Sequence, residues 1–103
     1  GAPAELLPSA ASFLSAYNAA GFTDPPSDFG PYAYDAANLL IEATVVARGD
    51  RLGVINYLQN VDTQGATGRL SFDTFGDTLN RVLTIYIVQA EEFLPIEIVT
   101  VDP

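Results

Sequence analysis

Two carboxylates, Asp73 and Asp77, lie four residues apart in a stretch that also contains Gly76. Such a pair could flank a sugar or hold a cation. The same residues are typical of a turn, where Asp side chains bind nearby main-chain N–H groups. A calcium loop needs oxygen ligands at alternate positions, and Phe75 stands in the middle of this stretch. The pattern favours a structural turn, and no residue is predicted to be catalytic or to bind a metal.

Other reactive groups lack the partners that their chemistry requires. The chain has no His, Cys or Lys, so its serines have no neighbouring base to activate them. Gly65-Ala66-Thr67-Gly68 is glycine-rich, but no Lys follows it and it does not open an obvious helix, and a phosphate-binding loop uses both features. We expect no enzymatic activity and no cofactor.

Three aromatic residues, Phe29, Tyr32 and Tyr34, cluster at the start of a predicted helix. They could line a pocket for an apolar or amino-acid ligand. Amphipathic aromatic residues also commonly pack half-buried against neighbouring elements, which is the structural alternative. Both interpretations stay open at this point.

The composition excludes nucleic acid and anionic membranes as partners and indicates surfaces that are covered by another protein surface. Thirteen acidic residues against four arginines give a net charge of −9. The chain therefore has no basic stripe for nucleic acid, and it is repelled by anionic membranes. Apolar residues make up 49% of the chain and its mean hydropathy is +0.22. A short chain with this much apolar surface is expected to bury some of its faces against another protein surface.

The first half of the sequence predicts three helices. Apolar spacing and a following glycine place the first from about Ser9 to Ala20. The second runs from Pro31 to Ala47, with Gly49 after its end. Its apolar side is expected to contain six residues: Tyr32, Ala36, Leu39, Leu40, Ala43 and Ala47. A third helix, capped by Asp50, runs from Arg51 to about Leu58.

The second half predicts about three antiparallel strands. Val61 to Gly68 is polar and is expected to be a loop, followed by a short strand from Arg69 to Phe72. Val82 to Val88 is rich in β-branched residues and predicts a strand that is covered on both faces. Phe93 to Val101 returns beside it as an edge strand, because Pro95 cannot donate to a ladder. The predicted fold class is α+β, in one unit over residues 1–103, with a helical part at 8–60 and a strand part at 68–101.

The order of these segments resembles the C-terminal part of the solute-binding proteins of the Leu/Ile/Val-binding family. The first predicted helix and the loop after it resemble a segment common in that family, in the order Phe13, Tyr17, Gly21 and Pro25. Tyr34-Asp35-Ala36 resembles its "YDA" helix. Gly65 to Asp73, with Gly76-Asp77, resembles its "G-x-T-G-x-x-x-F-D…G-D" stretch.

The resemblance implies a segment of a two-lobed α/β receptor that closes on a small solute outside the cytoplasm. Such receptors deliver an amino acid or a similar ligand to the permease of an ABC importer. Phe29, and after it Tyr32, match positions that border the ligand cleft. By the same resemblance the chain is too short to hold a whole binding site.

A segment of this kind would leave strand edges and apolar faces uncovered, so we expect a homo-oligomer. Its interface would involve the hairpin at 82–101 or the second helix. A self-associating α+β interaction module is the alternative function. An enzyme that uses Asp73 or Asp77 as an acid or base ranks last, because no nucleophile or metal set accompanies them.

Overall fold

The first half of the chain is helical in the computed structural model, which describes residues 1–102. Two short 3-10 helices, Ala4–Leu6 and Pro8–Ala10, lead into α1, which spans Ala11–Ala19. The second helix, α2, covers Gly30–Val46, and the third, α3, covers Arg51–Asn60. All three predicted helices are present. The first begins later than predicted because Pro8–Ala10 is wound as a tighter turn.

Local sequence signals fix the helix ends. Pro31 lies in the first turn of α2, where its missing N–H costs nothing. Gly49 follows α2 in the left-handed region, with φ of 78°. The Asp50 side chain accepts a hydrogen bond of 2.7 Å from the N–H of Gly53 and so caps α3. These signals explain why the helices were predictable from the sequence.

The buried side of α2 is narrower than the sequence predicts. Its buried residues recur every four positions: Pro31, Asp35, Leu39 and Ala43. Leu39 and Ala43 were expected there, but Ala36 is exposed and Leu40 is 52% exposed. That part of the prediction is wrong, because the side of α2 that contacts the following hairpin is centred on Asp35 rather than between Ala36 and Leu40.

The segment predicted as a polar loop contains a strand. Strand β1, Asp62–Gly65, pairs antiparallel with β2, Gly68–Ser71. The loop prediction was therefore wrong for residues 62–65. The sequence does not indicate this strand because β1 is polar and has low β propensity. Its pairing depends instead on contacts made by the turn between the two strands.

The last two strands form a hairpin. Strand β3, Val82–Gln89, pairs with β4, Glu92–Thr100, through a two-residue turn. Ala90 and Glu91 in that turn have φ of 51° and 64°, as in the turns that match strand twist. A register shift occurs between Ile85 and Tyr86, and Pro95 lies in β4 as expected. In contrast to the prediction, both faces of β3 are largely exposed within residues 1–102.

Over residues 1–102 the architecture is α+β, as predicted, with three α-helices and two separate two-stranded antiparallel sheets. This described part of the chain has four strands rather than about three, since β1 was not predicted. The accessible surface is 7438 Å² for a mass of 11.0 kDa. A compact monomer of this mass exposes roughly 5,600 Å². The difference lies mainly in apolar side chains of α2, α3 and the β3–β4 hairpin.

Candidate functional site

A half-open groove of about 630 Å³ lies between α2, β2 and the start of β3. Its walls are mostly apolar, which suits an aliphatic or aromatic group. The apolar wall residues are Leu7, Tyr32, Ala36, Leu39, Leu70, Phe72, Val82, Leu83 and Val101. Polar side chains at the groove come from Asp35, Thr67, Thr78, Asn80 and the two arginines Arg69 and Arg81. The groove joins the helical part of the chain to the hairpin.

Tyr32 lines this groove and also holds the N-terminal segment. Its hydroxyl accepts a hydrogen bond from the Ala2 N–H at 2.8 Å and donates to the Ala2 carbonyl at 3.1 Å. The Thr84 hydroxyl of β3 donates to the carbonyl of Gly1 at 2.8 Å. The first two residues therefore connect α2 to β3, and Gly1 forms part of the groove wall.

The other two aromatic residues of the predicted cluster lie elsewhere. Phe29 directly precedes α2, is 80% exposed and is not among the groove residues. Tyr34 packs on Phe13, with ring centroids 5.2 Å apart, and remains 51% exposed. The structure thus brings Tyr32 alone of the three to the groove.

Asp35 anchors the end of the groove. Its carboxylate is 5% exposed and accepts three hydrogen bonds from the turn between β1 and β2. The donors are the Ala66 N–H at 2.8 Å, the Thr67 N–H at 2.8 Å and the Thr67 hydroxyl at 2.6 Å. Asn80 then donates to the Thr67 carbonyl at 3.3 Å. A buried carboxylate with this many donors is held firmly, so it positions the groove wall.

Both arginines of the groove have carboxylate partners. Arg69 forms a two-pronged contact with Asp62, at 2.7 and 2.6 Å. This hydrogen-bonded contact lowers the pKa of the Asp62 carboxyl from its ordinary value. Arg81 lies 3.8 Å from a carboxylate oxygen of Asp73, a longer and weaker contact. Arg81 is therefore the cation more available to an incoming group.

Asp73 shapes the turn that the sequence indicates. One of its carboxylate oxygens accepts from the N–H of Phe75 at 2.9 Å and from the N–H of Asp77 at 3.0 Å. The Gln59 side-chain amide also donates to the Asp73 carbonyl. Over residues 1–102, His, Cys, Asp and Glu side chains form no group of three or more that could hold a metal ion. The turn interpretation of Asp73 is confirmed.

The helices described in residues 1–102 include none that is both long enough and apolar enough to span a bilayer. A comparison with protein-family models found no match, and a comparison with curated proteins found none either. Among solved structures, the chain is similar to the leucine-binding protein LivK of Thermotoga maritima.

That similarity covers 96% of this chain and 29% of the LivK chain, at 20% sequence identity and a TM-score of 0.74. At this identity the likeness shows the fold alone. The chain has the fold of one segment of this leucine-binding protein and spans less than a third of its length. The predicted resemblance is confirmed at the level of fold.

Sequence reasoning missed the link between Asp35 and the Ala66–Thr67 turn. One signal was available: Asp35 is an acidic residue on the same four-residue repeat as Leu39 and Ala43. A carboxylate on the buried side of a helix needs donors. The donors lie more than 30 residues away, in a polar stretch whose sequence does not indicate that it contacts α2.

Proposed function

We propose that this chain is the C-terminal portion of an extracytoplasmic solute-binding protein of an ABC importer. In this role it forms part of the wall of a site for an amino acid or a similar small solute. It carries out no catalysis. The single observation that supports this most is the shared fold with LivK over 96% of the chain.

The groove fits such a role because it is apolar and open on one side. A ligand side chain could enter it, but a closed site needs further walls to remove the ligand from water. Those walls would come from the remainder of a two-lobed receptor, since the chain corresponds to 29% of LivK. The ABC permease is then the partner of the whole receptor.

Tyr32 and Phe29 are the proposed ligand contacts. Tyr32 lines the groove while its hydroxyl is already bonded to Ala2. Phe29 is 80% exposed at the start of α2 and available to a ligand that approaches from outside the groove. Tyr32 would give shape to the pocket, and Phe29 would add an apolar contact when the receptor closes.

The test is a chimera in which residues 1–103 replace the matched segment of LivK. Leucine binding by calorimetry is expected to survive, and Tyr32→Ala in the chimera is expected to weaken it about tenfold or more. Phe75→Ala is the matched control, because Phe75 is 89% exposed and is not a groove residue. A chimera that folds but binds none of leucine, isoleucine and valine would contradict the proposal.

The isolated chain gives a second measurement. Leucine should bind it weakly or not at all, because an open groove leaves the ligand largely in water. Micromolar, saturable binding to a monomer would show that the site is complete in this chain. That result would overturn the role as one portion of a receptor.

A self-associating interaction module is the second candidate, and one observation favours it. The β3–β4 hairpin exposes apolar side chains on both faces, including Ile87, Val88 and Phe93 at 47, 64 and 75%. A contiguous exposed apolar surface of this kind is typical of an interaction site. The two candidates are compatible if the hairpin and the groove serve different partners.

A further inference from the structure

The β3–β4 hairpin provides two strand edges that differ in their fitness for pairing. Within residues 1–102 neither edge has a further strand beside it. The β4 edge contains Pro95, which has no N–H, and the register shift opposite Ile85 makes β4 irregular. Two glutamates, Glu92 and Glu97, also lie on β4. Proline, irregularity and charge are the features that protect an edge from pairing.

The β3 edge has none of these protections; its one contact with the N-terminal segment is made by a side chain, the Thr84 hydroxyl, which donates to the Gly1 carbonyl at 2.8 Å. Its eight residues, Val82–Gln89, contain no proline and no charged side chain. Strand β3 is also the regular partner, because the additional residue of the register shift lies on β4. A long, uncharged and regular edge is a site where another strand adds.

The direction of the hydrogen bonds shows which residues of β3 face outwards. The Val101 N–H donates to the Arg81 carbonyl at 2.8 Å, so odd-numbered positions turn their main chain towards β4. Thr84, Tyr86 and Val88 therefore turn their N–H and C=O groups to the open edge. The Val82 N–H is already bonded to the Asn80 carbonyl at 3.1 Å. The three outward residues are spaced to match a second strand.

We propose that this edge pairs with β3 of a second copy of the chain, antiparallel and two-fold symmetric about Tyr86. Tyr86 then faces Tyr86 of the other copy, and Thr84 faces Val88 in both directions. All three outward residues donate and accept, which no neighbouring register achieves because the Val82 N–H is already bonded to the Asn80 carbonyl. The product is a four-stranded sheet with the two β3 strands at its centre.

Charge complementarity selects the same register. With Tyr86 at the axis, Arg81 of one copy is level with the hairpin turn of the other, which contains Glu91 with φ of 64°. Arg81 is the basic residue that flanks the hairpin, and residues 82–102 contain no other. The acidic tips at Glu91 and Glu92 point to opposite ends of the sheet, so they do not repel each other directly. The net charge of −9 on each copy opposes association, and the two Arg81–Glu91 contacts offset this locally.

The surface area agrees with an interface between two copies. The chain exposes 7438 Å², against roughly 5,600 Å² for a compact monomer of this mass. One partner's share of a standard interface is about 800 Å². The difference exceeds one partner's share; pairing at the β3 edge covers the main chain and the side chains next to that edge, while the apolar faces of the four-stranded sheet stay exposed. This inference does not rest on the proposed ligand role.

The first test compares the two edges by sedimentation equilibrium of the full chain. A concentration-dependent dimer is expected at micromolar protein. Tyr86→Pro removes an outward N–H and should raise the dimer Kd about tenfold or more. Phe93→Pro is the matched control, because Phe93 faces Val88 and turns its N–H to the outer edge of β4. It should leave the Kd within about twofold.

The second test exchanges the charges and does not depend on proline. Arg81→Glu and Glu91→Arg should each raise the Kd about three- to tenfold. The double variant should return it towards the starting value, while circular dichroism shows that each variant is folded. A monomer at all concentrations, loss of dimer in Phe93→Pro alone, or no recovery in the double variant would each overturn the proposal. Since no amino acid is involved, failure here is distinct from failure of the ligand role.

Discussion

The Asp35 carboxylate accepts both the N–H and the hydroxyl of Thr67, at 2.8 and 2.6 Å, across 32 residues of sequence. Asp35 is on the buried side of α2, and Thr67 is in the turn that joins β1 to β2. Both residues are buried, at 5 and 6% exposure. This contact fixes the small β1–β2 sheet on the helix and thereby one end of the groove.

Replacing Asp35 with Asn should destabilise the protein by about 2 to 4 kcal/mol. The amide nitrogen of Asn would face donors, so at least one buried N–H or hydroxyl would lose its acceptor. Urea unfolding followed by circular dichroism measures the effect. Asp62→Asn is the control, because Asp62 is exposed and the solvent screens its ion pair with Arg69, so its loss should change the unfolding free energy far less. Equal losses in the two variants would contradict the importance of the buried contact.

Gly65 shows how closely the turn approaches α2. A Cβ added there would lie 2.6 Å from an Asp35 carboxylate oxygen and 2.6 Å from a Leu70 methyl group. Gly65→Ala should therefore cost about 1 to 3 kcal/mol in unfolding free energy. At Gly30 the nearest atom is 3.4 Å from an added Cβ. Gly30→Ala should be within about 0.5 kcal/mol of the parent, and a similar loss at both positions would contradict the close approach.

The sequence allows the helices to be predicted because their signals are local. Pro31 and Gly49 bound α2, and Asp50 caps α3 through the N–H of Gly53. Strand β1 gives no comparable signal, since Asp62-Thr63-Gln64-Gly65 is polar and exposed. It forms because the turn that follows it is held by Asp35, a contact between distant residues that local patterns do not contain.

The residues of the candidate site also divide into those that the sequence indicates and those that it does not. The family resemblance pointed to Phe29 and then Tyr32 as ligand contacts; of the two only Tyr32 lines the groove, and the contact of either with a ligand stays a prediction. Arg81 and Leu70 line it too, but they were not predicted, because their approach to α2 depends on how the hairpin and the β1–β2 sheet are placed. The apolar pattern of β3 predicted cover on both faces, but both faces are largely exposed within residues 1–102.

The Asp62–Arg69 contact predicts a dependence on pH. Its hydrogen bonds lower the pKa of Asp62 in the folded state, so the contact adds stability above the ordinary pKa of an Asp. This contribution is lost as the pH falls through the lowered value. An NMR titration should show the pKa of Asp62 rising towards its ordinary value in Arg69→Gln. Arg48→Gln should leave it unchanged, and salt should reduce the difference because both side chains are exposed.

The hydrogen bonds of the Tyr32 hydroxyl to Ala2 are expected to keep the groove narrow at its N-terminal wall. Tyr32→Phe keeps the ring in the groove wall but leaves the N–H and carbonyl of Ala2 without their partner. Ala2 is 2% exposed, so the two lost hydrogen bonds should cost about 1 to 2 kcal/mol. The N-terminal segment should then separate from α2 and widen the groove at Gly1.

Amide exchange measured by NMR tests this directly, with faster exchange expected at Ala2 and Ala4 in Tyr32→Phe. Tyr34→Phe is the matched control, because Tyr34 is on the same helix and its ring packs on Phe13. Its exchange pattern should equal that of the parent. If Ala2 stays protected in Tyr32→Phe, then the bond from the Thr84 hydroxyl to the Gly1 carbonyl holds the segment by itself. In that case β3, and not α2, sets the position of the groove's outer wall.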